Sequence, residues 1–238
     1  MSWFLKGLRS SVKTLPSQNL GSRGVPGLEP GRPISTRTSD PALLAVCPTH
    51  ALSQQGAMTV VDYNACIHCF LCQRGIDPPL TWENSHSRAV LKSQALASAF
   101  SHSLHVRVLD AGDCGACLNE IHQLTSPVYS LHRFGITLTP TPREADVLII
   151  VGPVTVGMQR ALRETYQAMP FPKRVLAIGA CALSGGVYAS SFAVTAPVSH
   201  TIPVDVEVPG CPPSPLAILE GLRLIMGPSG NNAAREEG

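Results

Sequence analysis

The chain has 238 residues, of which 44% are apolar and 14% charged, with a net charge of +2; this fits one substantial core plus a small appended module and excludes collagen, coiled-coil and strongly disordered classes. The basic residues are spread out apart from a light excess before Arg37, so no nucleic-acid footprint and no nucleic-acid partner are expected. No apolar run reaches the roughly 18 residues that a membrane-spanning helix needs, the longest being broken by Gly152 and Pro153.

Residues 1–40 form an extension that opens with Trp3, Phe4, Leu5, Leu8 and Val12 among Lys6, Arg9 and Lys13, then turns rich in Gly, Pro and Ser. Two readings stand side by side: a short amphipathic helix lying on a membrane surface or in a partner's groove, or a frayed terminus. Lys6 and Arg9 interrupt the early apolar stretch and leave no continuous core for a secretory leader, so a cytoplasmic protein is expected.

Residues 41–79 contain half of the eight cysteines. Disulfides suit small secreted domains, which this chain does not resemble in size, so spacing decides their role. Cys66-Ile67-His68-Cys69-Phe70-Leu71-Cys72 is the C-x2-C-x2-C run of bacterial ferredoxins, in which a fourth cysteine followed by proline ligates the other cluster. Cys47-Pro48 supplies that fourth ligand from before the run, while Ile76 stands where the run's own partner cysteine would fall. The module thus resembles half of an 8Fe ferredoxin that has kept one 4Fe-4S cluster, on Cys47, Cys66, Cys69 and Cys72. His68, inside the run, is expected to point outward and not to bind iron.

Residues 80–104 form a polar, Ala-rich linker with a candidate helix over 89–100. From 105 to 227, strand candidates at 105–109, 145–151, 174–178 and 204–208 alternate with helix candidates at 118–133, 156–168 and 214–226, the first interrupted by Pro127. That alternation predicts an α/β domain with a mainly parallel sheet. The tail, 228–238, is expected to be disordered.

Three of the strand candidates run directly into a cysteine loop: Asp113-Cys114-Gly115-Ala116-Cys117, Gly179-Ala180-Cys181 and Pro209-Gly210-Cys211-Pro212-Pro213. In a parallel sheet such loops share the carboxyl edge, where ligands bind. Four thiolates converging there suit a cubane cluster, and glycines let the backbone turn tightly around it. A tetrahedral zinc site is the metal rival, since C-x2-C with two distant cysteines also serves zinc. Buried structural cysteine is the other alternative, but it leaves the repeated strand, glycine and cysteine pattern unexplained. His122 and His132 show no paired ligand spacing.

The runs Asp110-Ala111-Gly112-Asp113-Cys114-Gly115-Ala116-Cys117-Leu118-Asn119-Glu120, Gly179-Ala180-Cys181-Ala182 and Pro209-Gly210-Cys211-Pro212-Pro213-Ser214-Pro215 carry a family resemblance. They are similar to the small subunit of membrane-bound, energy-converting nickel-iron hydrogenases of the formate hydrogenlyase type, and to the homologous 20 kDa subunit of complex I. The resemblance implies a flavodoxin-like α/β domain docked against a NiFe-hydrogenase-like or complex I-like large subunit. Cys114, Cys117, Cys181 and Cys211 would then hold the cluster nearest the catalytic centre, giving two 4Fe-4S clusters in all.

It further implies an oxidoreductase subunit that relays electrons, with the bond-making centre in a partner. More iron-sulfur and membrane subunits would hold the chain peripherally on the inner face of the cell membrane. Glu120 matches the family's acidic residue and is a candidate for proton movement at the subunit interface, against the plainer reading of a solvated helix-face carboxylate. Complex I members carry adjacent cysteines at the first ligand position, whereas Gly115 and Ala116 separate Cys114 from Cys117, so the hydrogenase branch fits better. A complex I-like, quinone-reducing subunit of an NADH-quinone oxidoreductase, and a non-enzymatic zinc- or cluster-binding module, stay open as alternatives.

Overall fold

The computed structural model describes residues 31–34, 41–73, 80, 82–83, 89–92 and 100–227. In chain order its elements are β1 (Arg32–Pro33), α1 (Pro41–Val46), β2 (Leu52–Gln55), β3 (Met58–Val61), β4 (Trp82–Glu83), β5 (Val90–Leu91), β6 (Leu104–Asp110), α2 (Ala116–Gln123), β7 (Ile136–Leu138), β8 (Val147–Val151), α3 (Gln159–Ala168), β9 (Arg174–Ile178), α4 (Gly179–Ser184), β10 (Val206–Val208) and α5 (Pro215–Met226). The expected amino-terminal helix, Ile76 and the tail 228–238 lie outside the described residues.

Valine, isoleucine and leucine fill β8 without a polar break, and all five residues are buried. Such a strand is covered on both faces, as parallel strands flanked by helices are. Its side chains divide by the two-residue period of a strand. Val147, Ile149 and Val151 join Ile121 of α2 and Ile218, Leu222 and Ile225 of α5 on one face. Leu148 and Ile150 join Leu162 of α3 and Ala182 of α4 on the other.

The sheet order is β5-β10-β9-β8-β6-β7, with β6 to β10 all parallel and β5 antiparallel at the edge. Numbered among themselves, the five parallel strands run 2-1-3-4-5, which is the flavodoxin-like winding. Its topological switch point lies beyond the carboxyl ends of β6 and β8, the place where such sheets bind ligands.

Two expectations change at the level of elements. The stretch 118–133 is not one helix: α2 stops at Gln123, before Pro127, which has no amide hydrogen to continue the ladder, and the chain re-forms as a short turn at Leu131–Phe134. At the start of the candidate helix 89–100, Val90 and Leu91 instead pair with Glu207 and Val206 as β5, and residues 93–99 lie outside the described residues. An open sheet edge offered these two residues backbone partners, and tertiary pairing overrode the local helical pattern. The short strand β7 and helix α4 escaped the sequence pattern altogether.

The α5 helix begins directly after the Cys211 loop, and Ser214 caps it: its Oγ accepts a hydrogen bond from the Ala217 amide at 3.3 Å, with Pro215 in the first turn. Removing such a cap costs about 1 kcal/mol. We therefore expect Ser214→Ala to lower the stability of the chain by about that amount in urea unfolding.

In the amino-terminal part, β2 and β3 form a hairpin from Leu52↔Val61 to Gln55↔Met58. Leu43, Leu52, Val61 and Leu80 make a small core, with Cys47 and Cys72 packed against it. A second ribbon pairs Arg32 with Glu83 and Pro33 with Trp82, reinforced by an Arg32–Glu83 ion pair, so residues flanking the cysteine module are drawn onto it.

The two parts meet through Asn64, two residues before Cys66. Its amide Nδ2 donates to Oε2 of Glu207 on β10 at 2.9 Å, and Lys92 Nζ lies 3.1 Å from the same oxygen.

Candidate metal centres

At the carboxyl edge of the sheet, two aspartates wind the loop after β6. Asp110 Oδ1 accepts the Gly112 and Asp113 amides at 2.8 and 2.7 Å, and Asp113 Oδ2 accepts those of Gly115 and Leu118 at 3.0 and 3.2 Å. Gly115 takes a φ of +92°, in the region only glycine enters freely. This winding sets Cys114 at the surface and Cys117 in the interior, at the start of α2.

The loops after β9 and β10 are tied by the Ala180 amide, which donates to the Gly210 carbonyl at 2.8 Å. Gly179 has a φ of +87°, and a Cβ placed on it would stand 2.7 Å from Cys117 Sγ. One on Gly186 would stand 3.2 Å from Cys181 Sγ. The backbone therefore comes close to sulfur at both points, and glycine is what leaves the space.

The thiols of Cys117, Cys181 and Cys211 are each raised, in part by neighbouring cysteines. Burial pushes Cys117 far up, and the charges of Asp113, Cys211, Cys181 and Cys114 add to it. Cys181 is pushed up to about 11 by burial first and then by Cys211 and Cys114. Burial, then Cys114 and Asp113, also raises Cys211. Four negative sulfurs cannot share this site on their own, and cationic metal at their centre would relieve the repulsion as it displaces their protons.

Cys47, Cys66, Cys69 and Cys72 line a single pocket in the amino-terminal part. Cys47 follows α1, and its Sγ accepts the Ala51 amide at 3.2 Å. His68 and Phe70 adopt left-handed backbone at φ +51° and +58°, winding the cysteine run about the pocket. Alternation of this kind turns successive amides toward one point, a setting for anions. Burial pushes Cys66 up to about 11, offset in part by the His68 amide and raised further by Cys72, Cys47 and Cys69. Burial likewise raises Cys72, and the indole N–H of Trp82 pulls it back down. That N–H is buried yet falls outside hydrogen-bond geometry with every described acceptor.

All eight cysteines are free thiols, so the disulfide alternative finds no pair. Among the described residues, no group of three or more His, Cys, Asp or Glu side chains is already gathered around one point. A tetrahedral zinc needs donors at about 2.3 Å from one centre, whereas a cubane takes its ligands on separate corners of a larger body. The glycine space beside Cys117 and the orphaned indole N–H beside Cys72 fit such a body in each site.

His68 does not turn outward as its position in the run implies. Its Nδ1 is buried and its ring meets Trp82 edge-on, with centroids 6.1 Å apart, while burial lowers its pKa. Glu120 is half-buried on α2, one turn beyond Cys117, and its charge adds to the burial that raises the Tyr129 phenol. His122 and His132 are exposed. Trp82 escaped the sequence reading; its one signal there was a large aromatic residue ten positions after Cys72 in an otherwise polar stretch.

Among the described residues no helix is long and apolar enough to cross a membrane. Residues 114–225 match the family described as NADH ubiquinone oxidoreductase, 20 Kd subunit, a span that holds Cys114, Cys117, Cys181 and Cys211. The chain is similar to formate hydrogenlyase subunit 7 of Escherichia coli, 37% identical over 153 residues that cover 64% of this chain and 59% of that protein. It is also similar to the "Probable membrane-bound hydrogenase subunit mbhJ" of Pyrococcus furiosus, 39% identical over 147 residues, 62% of this chain and 88% of the relative. Among solved structures, a chain of the membrane-bound sulfane sulfur reductase, an archaeal respiratory membrane complex, is 35% identical with a TM-score of 0.49, covering 57% of this chain and 75% of that one. With a relative of this kind matched over most of its own length, the chain belongs to the NADH ubiquinone oxidoreductase 20 Kd subunit family.

Proposed function

We propose that this chain is the iron-sulfur electron-transfer subunit of a multi-subunit hydrogenase complex, carrying two 4Fe-4S clusters. One is held by Cys114, Cys117, Cys181 and Cys211, the other by Cys47, Cys66, Cys69 and Cys72. The observation that carries the reading is the convergence of three cysteine loops at the carboxyl edge of the sheet, with Gly179 clearing the space against Cys117 Sγ. The relatives, named as hydrogenase subunits, support the complex.

When bound, the clusters supply one-electron transfer. The chain's own residues hold and insulate them: thiolates ligate, glycines let the backbone approach, and the packed sheet below Cys117 excludes water, all of which set potential. The Cys114 set would face a NiFe-type large subunit and the Cys47 set a further redox partner, with 41–79 and 105–227 as the two cluster-bearing domains. Membrane subunits would hold the assembly on the inner face of the membrane, and Glu120 would serve proton movement at the interface with the large subunit. A quinone-reducing complex is the second reading, since the family takes its name from one. The two residues between Cys114 and Cys117 favour the hydrogenase branch.

Anaerobic purification with iron, sulfide and zinc analysis tests the cofactors. We expect about eight irons and eight sulfides per chain. Zinc without sulfide overturns the reading. Co-purification with a large subunit whose cysteine pairs can hold nickel is expected, and a partner lacking them would replace hydrogenase with the quinone-reducing alternative.

A further inference from the structure

Trp82 stands outside the cysteine run, and the pairing of β1 with β4 brings it to the pocket that Cys47, Cys66, Cys69 and Cys72 line. Two ring contacts and a neighbouring ion pair hold it in place. Phe70 stacks on it with centroids 4.3 Å apart and planes 25° from parallel, His68 meets it edge-on, and its neighbour Glu83 pairs with Arg32. An indole is a donor only. Here its Nε1 is buried with no hydrogen-bond partner among the described residues, a state that native interiors seldom keep.

Among the described residues lining this pocket, the side-chain acceptors are the four sulfurs and Thr49, whose hydroxyl already faces Cys47 Sγ at 3.7 Å. We infer that Trp82 is a potential-setting donor for the amino-terminal cluster, its indole N–H donating to a sulfur at the Cys72 side of that site and favouring the reduced state. The direction follows from charge: reduction adds an electron, sulfur becomes the stronger acceptor, and a fixed donor stabilises that form more than the oxidised one. The inference rests on the proposed cluster at the Cys47 set.

The test is a redox titration of the full chain followed by electron paramagnetic resonance, with Cys66→Ser as the reference that identifies the amino-terminal signal. Trp82→Phe keeps the ring and removes the donor, and we expect its one-electron reduction constant to fall by up to tenfold, which is about 59 mV. Phe70→Leu loosens the stacking but keeps the N–H and should titrate with the wild type. In wild-type protein with isotopically labelled tryptophan nitrogen, the reduced cluster should show a hyperfine coupling to that nitrogen, and Trp82→Phe should lack it.

An unchanged potential in Trp82→Phe, or an equal shift in Phe70→Leu, overturns the inference while leaving the cluster in place. Should Trp82→Phe fail to bind the cluster, the coupling in the wild type decides, and its absence overturns the role. A wild-type chain with only about four irons, all assigned to the Cys114 set, overturns the amino-terminal cluster and this inference together.

Discussion

Gly179→Ala should strip the main domain of its proposed cluster, so that bound iron falls from about eight to about four per chain. The glycine's φ of +87° makes any side chain costly, by about 1–2 kcal/mol for left-handed backbone alone. The larger effect is steric: the new methyl would lie 2.7 Å from Cys117 Sγ, closer than carbon and sulfur tolerate, and Cys117 is buried at the start of α2. Something must move, and both loops that could are constrained, one by the Ala180 amide bonded to Gly210, the other by the Asp113 carboxylate.

Gly115→Ala separates these causes. Gly115 has nearly the same φ, +92°, but a Cβ there meets nothing within 4 Å. It should therefore show a modest loss of stability with iron retained. Metal analysis of the two variants, with the paramagnetic signal of each cluster, reads the difference. Equal iron in both would mean that Cys117 Sγ is not where cluster binding is decided.

Cys66→Ser should remove the proposed amino-terminal cluster alone, again leaving about four irons per chain. The structure behind that expectation is the small core of this module, among the described residues a cluster of Leu43, Leu52, Val61 and Leu80, beside the large two-faced core of the sheet domain. A module with so little apolar burial depends on its metal for folding. Limited proteolysis of Cys66→Ser should accordingly cut within the module and spare the sheet domain. Loss of both clusters would contradict two independently folding sites.

Much of this was legible in the sequence because the signals were redundant. Each parallel strand of the cysteine loops is a short apolar run followed at once by glycine and cysteine, so pattern, turn chemistry and ligand type agree. The mainly parallel sheet followed from that alternation, and its flavodoxin-like winding from the family resemblance. What escaped it depends on contacts between distant segments. Val90 and Leu91 become a strand only because β10 leaves an edge open beside them, and α4 opens on the glycine that the site needs, which hides a helix start. Trp82 matters through a pairing with Arg32 and Pro33, far back in the chain on the other side of the cysteine module, and no local period announces such a ribbon.

The hydrogen bond from Asn64 to Glu207, shared with Lys92, reaches from the start of the ferredoxin-type run to the strand that leads into the Cys211 loop. Two carriers on separate proteins must collide, orient and part for every electron they exchange, and their traffic falls with dilution and rising salt. Joining them in one chain raises their local concentration, but a slack tether would still leave them to search for each other. The Asn64 bond to Glu207 shortens that search, so passage between the two proposed clusters would be a first-order event, indifferent to how much of the protein is present.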